Sequence, residues 1–164
     1  MRLNNLNEIE FYAKLEEIKI FMFDLDGVLL YNTVDNDNIF QRMTEFASRL
    51  KNGCCYAGII TARIGDELTT KLNTIENCFV ITSSLNKKKK MEEKLSDIEL
   101  NFEDMFYIGD DILDIPLLQK AELSGAPSNA RREVKRAVDI VLDEEESTDL
   151  LGTMIQLIEH KHID

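Results

Sequence analysis

The sequence predicts an α/β protein: a three-layer sandwich with helices on both faces of a mostly parallel sheet. Three observations predict it. Short apolar runs alternate along the whole chain with longer stretches whose apolar residues recur at helical spacing. The apolar runs tend to end on a polar or acidic residue or on glycine. With 44% apolar residues, seven glycines and two prolines in 164 residues, the composition is that of one ordered domain with a full core.

In chain order, Leu6, Ile9, Tyr12, Leu15 and Ile18 mark an N-terminal helix over residues 1–18. Asn7 with Glu10 three residues on is its capping signal. Ile20 to Phe23 then reads as a buried strand, opening a core that runs over 19–160. Asp24 and Asp26 lie where that strand runs out. Alternation along a strand predicts that they share a face. Residues 28–38, rich in Asn and Asp, read as a loop. A helix follows with Ile39, Met43, Phe46 and Leu50 on its apolar side, and Asn52-Gly53 stops it.

Cys55 to Thr61 reads as a second strand, followed by a short helix over Gly65 to Leu72. Cys78 to Ile81 is a third strand. Lys87 to Lys90 open a helix whose apolar stripe is Met91, Leu95 and Ile98. Met105 to Ile108 is a fourth strand, ending on Gly109-Asp110-Asp111. Ile112 to Lys120 is helical, with Pro116 near its first turn, where proline is tolerated. Then come a strand over Glu122 to Ala126, a basic helix over Arg131 to Ala137 and a strand over Val138 to Leu142. Asp143 to Glu146 reads as an acidic loop, and Leu150 to Ile158 as a final amphipathic helix.

The net charge of -12 argues against nucleic-acid binding, which wants a basic face. It leaves room for a small anionic substrate at a locally positive site. Cys54, Cys55 and Cys78 are odd in number and form no CxxC; they read as small buried hydrophobes of a reducing compartment. No apolar stretch approaches the roughly 18 residues of a membrane span, and no signal-peptide pattern opens the chain. A cytoplasmic protein is expected.

In parallel sheets of this kind ligands bind beyond the carboxyl ends of the strands. The residues placed there are Asp24 and Asp26, Thr61, Lys87 on the turn after the third strand, and Asp110 and Asp111, with Asp114 one turn on. Two acidic pairs at neighbouring strand ends repel unless a cation lies between them. A small set of oxygen ligands suits Mg²⁺. A carboxylate can act as a nucleophile, and a second one two residues on as general acid and base. A hydroxyl and an ammonium can hold phosphoryl oxygens as charge develops. A lysine run opening a helix opposes the macrodipole, a hint that one lysine is held there for another reason. The set is complete for phosphoryl transfer through a covalent intermediate.

DLDGV at Asp24 to Val28, ITAR at Ile60 to Arg63, Lys87, and YIGDDILDIP at Tyr107 to Pro116 resemble the four motifs of the haloacid dehalogenase superfamily. The resemblance runs over roughly Ile20 to Leu157. It implies a Rossmann-like sheet without a large cap domain. The segment APSNARREVKRAVDIVL resembles the capless branch that contains the 3-deoxy-manno-octulosonate 8-phosphate phosphatases. The resemblance implies a phosphatase acting on a small phosphorylated metabolite such as a sugar acid, with Asp24 as nucleophile and Asp26 as general acid and base. It implies that Thr61, Ala62, Arg63 and Lys87 bind phosphate, with Lys88 as the alternative register for the lysine. It places Mg²⁺ on Asp24, the Asp26 carbonyl and Asp110, with Gly27, Gly109, Asp111 and Asp114 in support.

Three departures stand beside it. Residues 29–38 are too few for the hairpin by which that branch builds its tetramer and pocket. Ala62 replaces the usual glycine, and Glu144 to Thr148 replaces a glycine-rich segment. A homo-oligomer is still expected, because an open catalytic edge needs a wall. Two other classes share parts of this pattern. A signalling phospho-acceptor domain uses similar residues but wants its acidic acceptor on a middle strand, and Cys78 to Ser84 offers none. A non-catalytic relative that binds a partner is supported only by the missing hairpin.

Overall fold

A computed structural model describes residues 1–31 and 36–160, without the side chains of residues 36 and 37. Residues 32–35, part of the expected loop over 28–38, lie outside the described residues. Among the described residues, seven strands form one sheet: β1 (Arg2–Leu3), β2 (Ile20–Phe23), β3 (Tyr56–Ile60), β4 (Cys78–Ile81), β5 (Met105–Ile108), β6 (Leu123–Ala126) and β7 (Ile140–Val141). Their order is β1-β7-β6-β5-β2-β3-β4. All neighbours pair in parallel except β1, which pairs antiparallel with β7.

The helices are α1 (Glu8–Glu17), α2 (Asn36–Lys51), α3 (Glu67–Leu72), α4 (Lys87–Asp97), α5 (Ile115–Leu118), α6 (Arg132–Ala137), α7 (Glu144–Thr148) and α8 (Leu150–His160). Strand alternation sorts the side chains into two cores. Phe21 and Phe23 of β2, with Phe106 and Ile108 of β5, face one cluster. That cluster also takes Phe11 and Leu15 of α1, Met43 and Phe46 of α2, and Met154 and Leu157 of α8. Ile20, Met22, Met105 and Tyr107 face the other, with Met91 and Leu95 of α4, Leu117 and Leu118 of α5, and Val134 of α6. Because β2 and β5 are buried on both faces, their sequences read as unbroken apolar runs. The expected three-layer sandwich is the one observed.

The chain winds from β2 through β3 to β4 on one side, then returns to lay β5, β6 and β7 on the other. The direction of winding reverses between β2 and β5. That reversal opens a crevice beyond their carboxyl ends, the usual place for a ligand in such sheets.

Some local expectations need correction. Residues 143–146 do not form a loop: Asp143 accepts from the Glu146 N–H, and the Glu146 carboxylate accepts from the Asp143 N–H, a capping box that starts α7. On α1, Ile9 is 84% exposed, while Phe11 turns to the core with Leu15. Cys54 is exposed rather than buried, and takes a left-handed φ of 55° in the turn after α2. Strand β1 is too short to show any alternation and has no counterpart in the sequence reading.

Candidate active site

The site is built at the winding reversal. β2 and β5 pair with Phe23 beside Ile108, and the Asp24 N–H donates to the Ile108 carbonyl at 3.0 Å. That bond carries the ladder one residue past the strand and puts Asp24 next to the turn that holds Asp110. Gly27, at φ +82°, makes room for it: a Cβ there would stand 2.0 Å from Asp110 Oδ2. Gly109 is also required, because its Cβ would lie 2.6 Å from that of Asp114. Carboxylate oxygens of Asp24, Asp110 and Asp114 come within 4.8 Å of one another.

Asp114 is fully buried and all its bonding capacity is engaged. Its Oδ1 accepts from Lys87 Nζ at 2.6 Å and from the Tyr107 hydroxyl at 2.7 Å. Its Oδ2 accepts from the backbone N–H groups of Asp110 and Asp111, at 3.0 and 3.1 Å. It therefore acts as a brace, fixing the turn after β5 and aiming the lysine. Lys87 is 4% exposed, and its Nζ also stands 3.1 Å from Asp24 Oδ1. Among the four lysines that open α4, Lys87 is the buried one; Lys88 has no place in the cluster. The ammonium thus offsets part of the repulsion among these carboxylates.

The remaining repulsion shows in the titration of the group. Burial, then the charge of Asp114, lifts the Asp24 carboxyl to about 7, although Lys87 pulls the other way. Burial and Asp114 also lift Asp110, to about 6. Burial opposes the charge on Lys87, but Asp24 and Asp114 outweigh it and hold its pKa above the ordinary value. Burial and the same carboxylates push Tyr107 far up, so its hydroxyl stays a donor. Such a cluster of hard oxygen donors fits a divalent cation of the Mg²⁺ type. Asp24 and Asp110 are the two carboxylates left to hold it, since Asp114 is engaged on both oxygens.

Thr61 follows β3, is buried, and its Oγ1 accepts from the Arg63 N–H at 3.1 Å. Its carbonyl accepts from the Ser84 N–H at 3.0 Å, which ties the loops after β3 and β4 together. The Ser84 Oγ is buried there with no hydrogen-bond partner among the described residues. Ala62 and Arg63 line the same pocket as Asp24, Thr61, Lys87, Asp111 and Asp114. Asp111 caps the turn of 112–114 through the Ile112 N–H, and its Oδ1 pairs with Arg131 Nε at 3.3 Å.

Asp26 lines the same pocket as Asp24 but at its open side. Its side chain is 55% exposed and paired with Arg63, whereas that of Asp24 is 10% exposed. The reason is local: the strand ends at Phe23, and the chain turns at Gly27, where Asp26 bridges Leu30. Alternation no longer applies past the strand.

Sequence reasoning missed Tyr107, Asp66 and Asn129. Tyr107 is the one residue of MFYI with a polar side chain, which was a readable signal. Asn129 Nδ2 donates to the Gly27 carbonyl at 3.0 Å, and the Arg131 N–H to the Asp110 carbonyl at 3.1 Å. The loop after β6 thereby holds the turns that carry Gly27 and Asp110 from outside.

The model of the haloacid dehalogenase-like hydrolases matches residues 30–152, most of the chain. The chain belongs to this family. Within the haloacid dehalogenase-like hydrolases, it is 27% identical over 125 residues to the 3-deoxy-D-manno-octulosonate 8-phosphate phosphatase KdsC of Escherichia coli K12. That match covers 72% of this chain and 66% of the relative's length, just under two thirds of it. Among solved structures, one similar fold is the 3-deoxy-D-manno-octulosonate 8-phosphate phosphatase of Moraxella catarrhalis, in complex with magnesium and phosphate ions and a KDO molecule. The TM-score is 0.75 at 17% identity, covering 92% of this chain and 93% of that one. A second is the cobalt-bound deoxy-D-mannose-octulosonate 8-phosphate phosphatase of Haemophilus influenzae, with a TM-score of 0.71 at 23% identity, covering 88% and 91%. The likeness to these two members is one of fold.

Proposed function

We propose that this haloacid dehalogenase-like hydrolase is a Mg²⁺-dependent phosphomonoesterase that works through an aspartyl-phosphate on Asp24. The observation that carries the reading is the buried Asp24 carboxylate held between Lys87 and Asp110 at the winding reversal of the sheet. In this reading Asp24 attacks the phosphorus, and the bond to the ester oxygen breaks. The departing oxygen keeps the electron pair and takes a proton from Asp26. Water then attacks the aspartyl-phosphate, gives a proton to Asp26, and frees phosphate and the Asp24 carboxylate. Thr61, Ala62, Arg63 and Lys87 bind the phosphoryl group, with Lys87 opposing charge that builds on its oxygens. When bound to Asp24, Asp110 and the Asp26 carbonyl, Mg²⁺ would neutralise charge on the carboxylates and the phosphoryl group. Gly27, Gly109, Asp111 and Asp114 shape and brace that site.

A small phosphorylated sugar acid or similar metabolite is the proposed substrate, supported by the likeness to the octulosonate phosphatases. One domain spanning 1–164, assembled as a homo-oligomer in the cytoplasm, completes the proposal. The open catalytic edge supports the oligomer. Among the described residues no helix is long and apolar enough to cross a membrane. The deciding experiment is hydrolysis of p-nitrophenyl phosphate with and without Mg²⁺, followed by a screen of phosphorylated metabolites led by sugar acids. Absence of Mg²⁺-dependent phosphate release from every substrate would refute the reading.

A further inference from the structure

Arg63 is held at every functional atom. Its N–H donates to Thr61 Oγ1 at 3.1 Å, and its carbonyl accepts from the Ser83 N–H at 2.8 Å. Its guanidinium grips Asp26 with two donors, Nε to Oδ2 at 3.1 Å and Nη2 to Oδ1 at 2.6 Å. The remaining arm, Nη1, donates to Asp66 Oδ2 at 2.9 Å. Asp66 is tethered in turn: its Oδ1 caps α3 by accepting from the Thr69 N–H at 2.9 Å, while its own N–H donates to Thr69 Oγ1 at 2.8 Å. A continuous line of hydrogen bonds therefore runs from the start of α3 through Asp66 and Arg63 to Asp26.

A planar fork bound on two edges fixes both position and orientation, which a lysine at the same place would not do. Asp26 sits past the end of its strand and is half exposed, so no core packing aims it. The fork is what does. We infer that Arg63, anchored by Asp66, is the positioning residue that aims Asp26 at the ester oxygen. This rests on the phosphatase reading above and redefines one part of it: the Arg63 side chain serves the acid and base, and only its backbone serves the phosphate site through Thr61. Proton transfer in the transition state needs the donor within hydrogen-bond reach of the departing oxygen, so a loosened Asp26 costs most where that oxygen leaves poorly.

The test measures kcat/KM for substituted phenyl phosphates whose leaving groups span a wide pKa range, with wild type, Asp66→Asn, Arg63→Lys and Asp26→Asn. Asn still caps α3 but gives Arg63 no charge to lean on. Asp66→Asn is expected to lose about tenfold with phenyl phosphate and less than about twofold with p-nitrophenyl phosphate. KM and inhibition by inorganic phosphate stay at wild-type values. Arg63→Lys is expected to steepen the leaving-group dependence further, and adding Asp66→Asn to it to change nothing more. An equal loss across all leaving groups, or weakened phosphate inhibition in either variant, overturns the inference and returns the guanidinium to direct phosphate binding. Unchanged kinetics in Asp66→Asn overturn it as well. Asp26→Asn separates the two levels: if it fails to steepen the dependence, the acid role itself is wrong, and the positioning inference falls with it.

Discussion

Lys87 Nζ stands 3.1 Å from Asp24 Oδ1, with both residues withdrawn from solvent and lining the same pocket. Neither charge is at ease there alone. Lys87→Met is expected to leave Asp24 and Asp114 without their shared cation and to destabilise the protein by about 3 kcal/mol at neutral pH. Turnover of p-nitrophenyl phosphate should fall on the order of a hundredfold or more. Urea denaturation and steady-state rates check both. A variant of wild-type stability would mean that the pair contributes nothing to the fold.

Asp24→Asn should separate activity from stability. It removes the proposed nucleophile, so Mg²⁺-dependent hydrolysis should drop a thousandfold or more. It also removes a carboxylate that burial and Asp114 make costly to ionise. Metal-free Asp24→Asn should therefore melt no lower than wild type at pH 8. Near-normal hydrolysis by this variant would dismiss Asp24 as nucleophile.

The pH dependence follows from the raised carboxyls. Asp24 shifts from an ordinary 3.8 to about 7 in the folded protein, so between those values the folded state binds more protons than the unfolded state. Metal-free stability should thus fall as pH rises from about 4 to 7, and Asp110, at about 6, adds to the trend. Mg²⁺ must displace those protons, so its binding should weaken as pH drops below 7. The rise in melting temperature given by Mg²⁺ should be larger at pH 8 than at pH 5.5. A shift independent of pH would place the ion elsewhere.

Gly27→Ala tests the seat of Asp110. The added methyl would overlap Asp110 Oδ2 and must also hold a φ of +82°. The expected cost is about 1–3 kcal/mol of stability. More telling, the stabilisation by Mg²⁺ should largely vanish even where the variant remains folded. A full Mg²⁺-induced shift in melting temperature would show that Asp110 is not a ligand.

Much of this architecture was legible because β2, β3 and β5 are buried on both faces and read as unbroken apolar runs, each closed by a residue the core would reject. Asp24, Thr61 and Asp110 stood out for that reason. Lys87 was harder, since four successive lysines carry no phase; only the packing of Nζ against Asp24 and Asp114 breaks the tie. Asp66 caps α3 through one oxygen, and its second oxygen, turned to Arg63, has no sequence signature. Tyr107 hid in an apolar run because a tyrosine there packs like its neighbours until its hydroxyl finds Asp114. Ile9 misled because helical spacing gives the width of an apolar stripe but not which edge meets the core, and Phe11 outweighed it.

The sheet order has a consequence for the nascent chain. Strand β2 gains its first partner, β3, soon after synthesis, but its other edge waits for β5, which emerges much later. Until then IFMF lies with one flank of unpaired amides on a growing polypeptide, an invitation to pairing with another chain. The same docking that closes this flank brings Asp110 to Asp24. A chain halted before β5 would be sticky and would lack the Asp24–Asp110 pair, so the proposed Mg²⁺ affinity would double as a readout of completed folding.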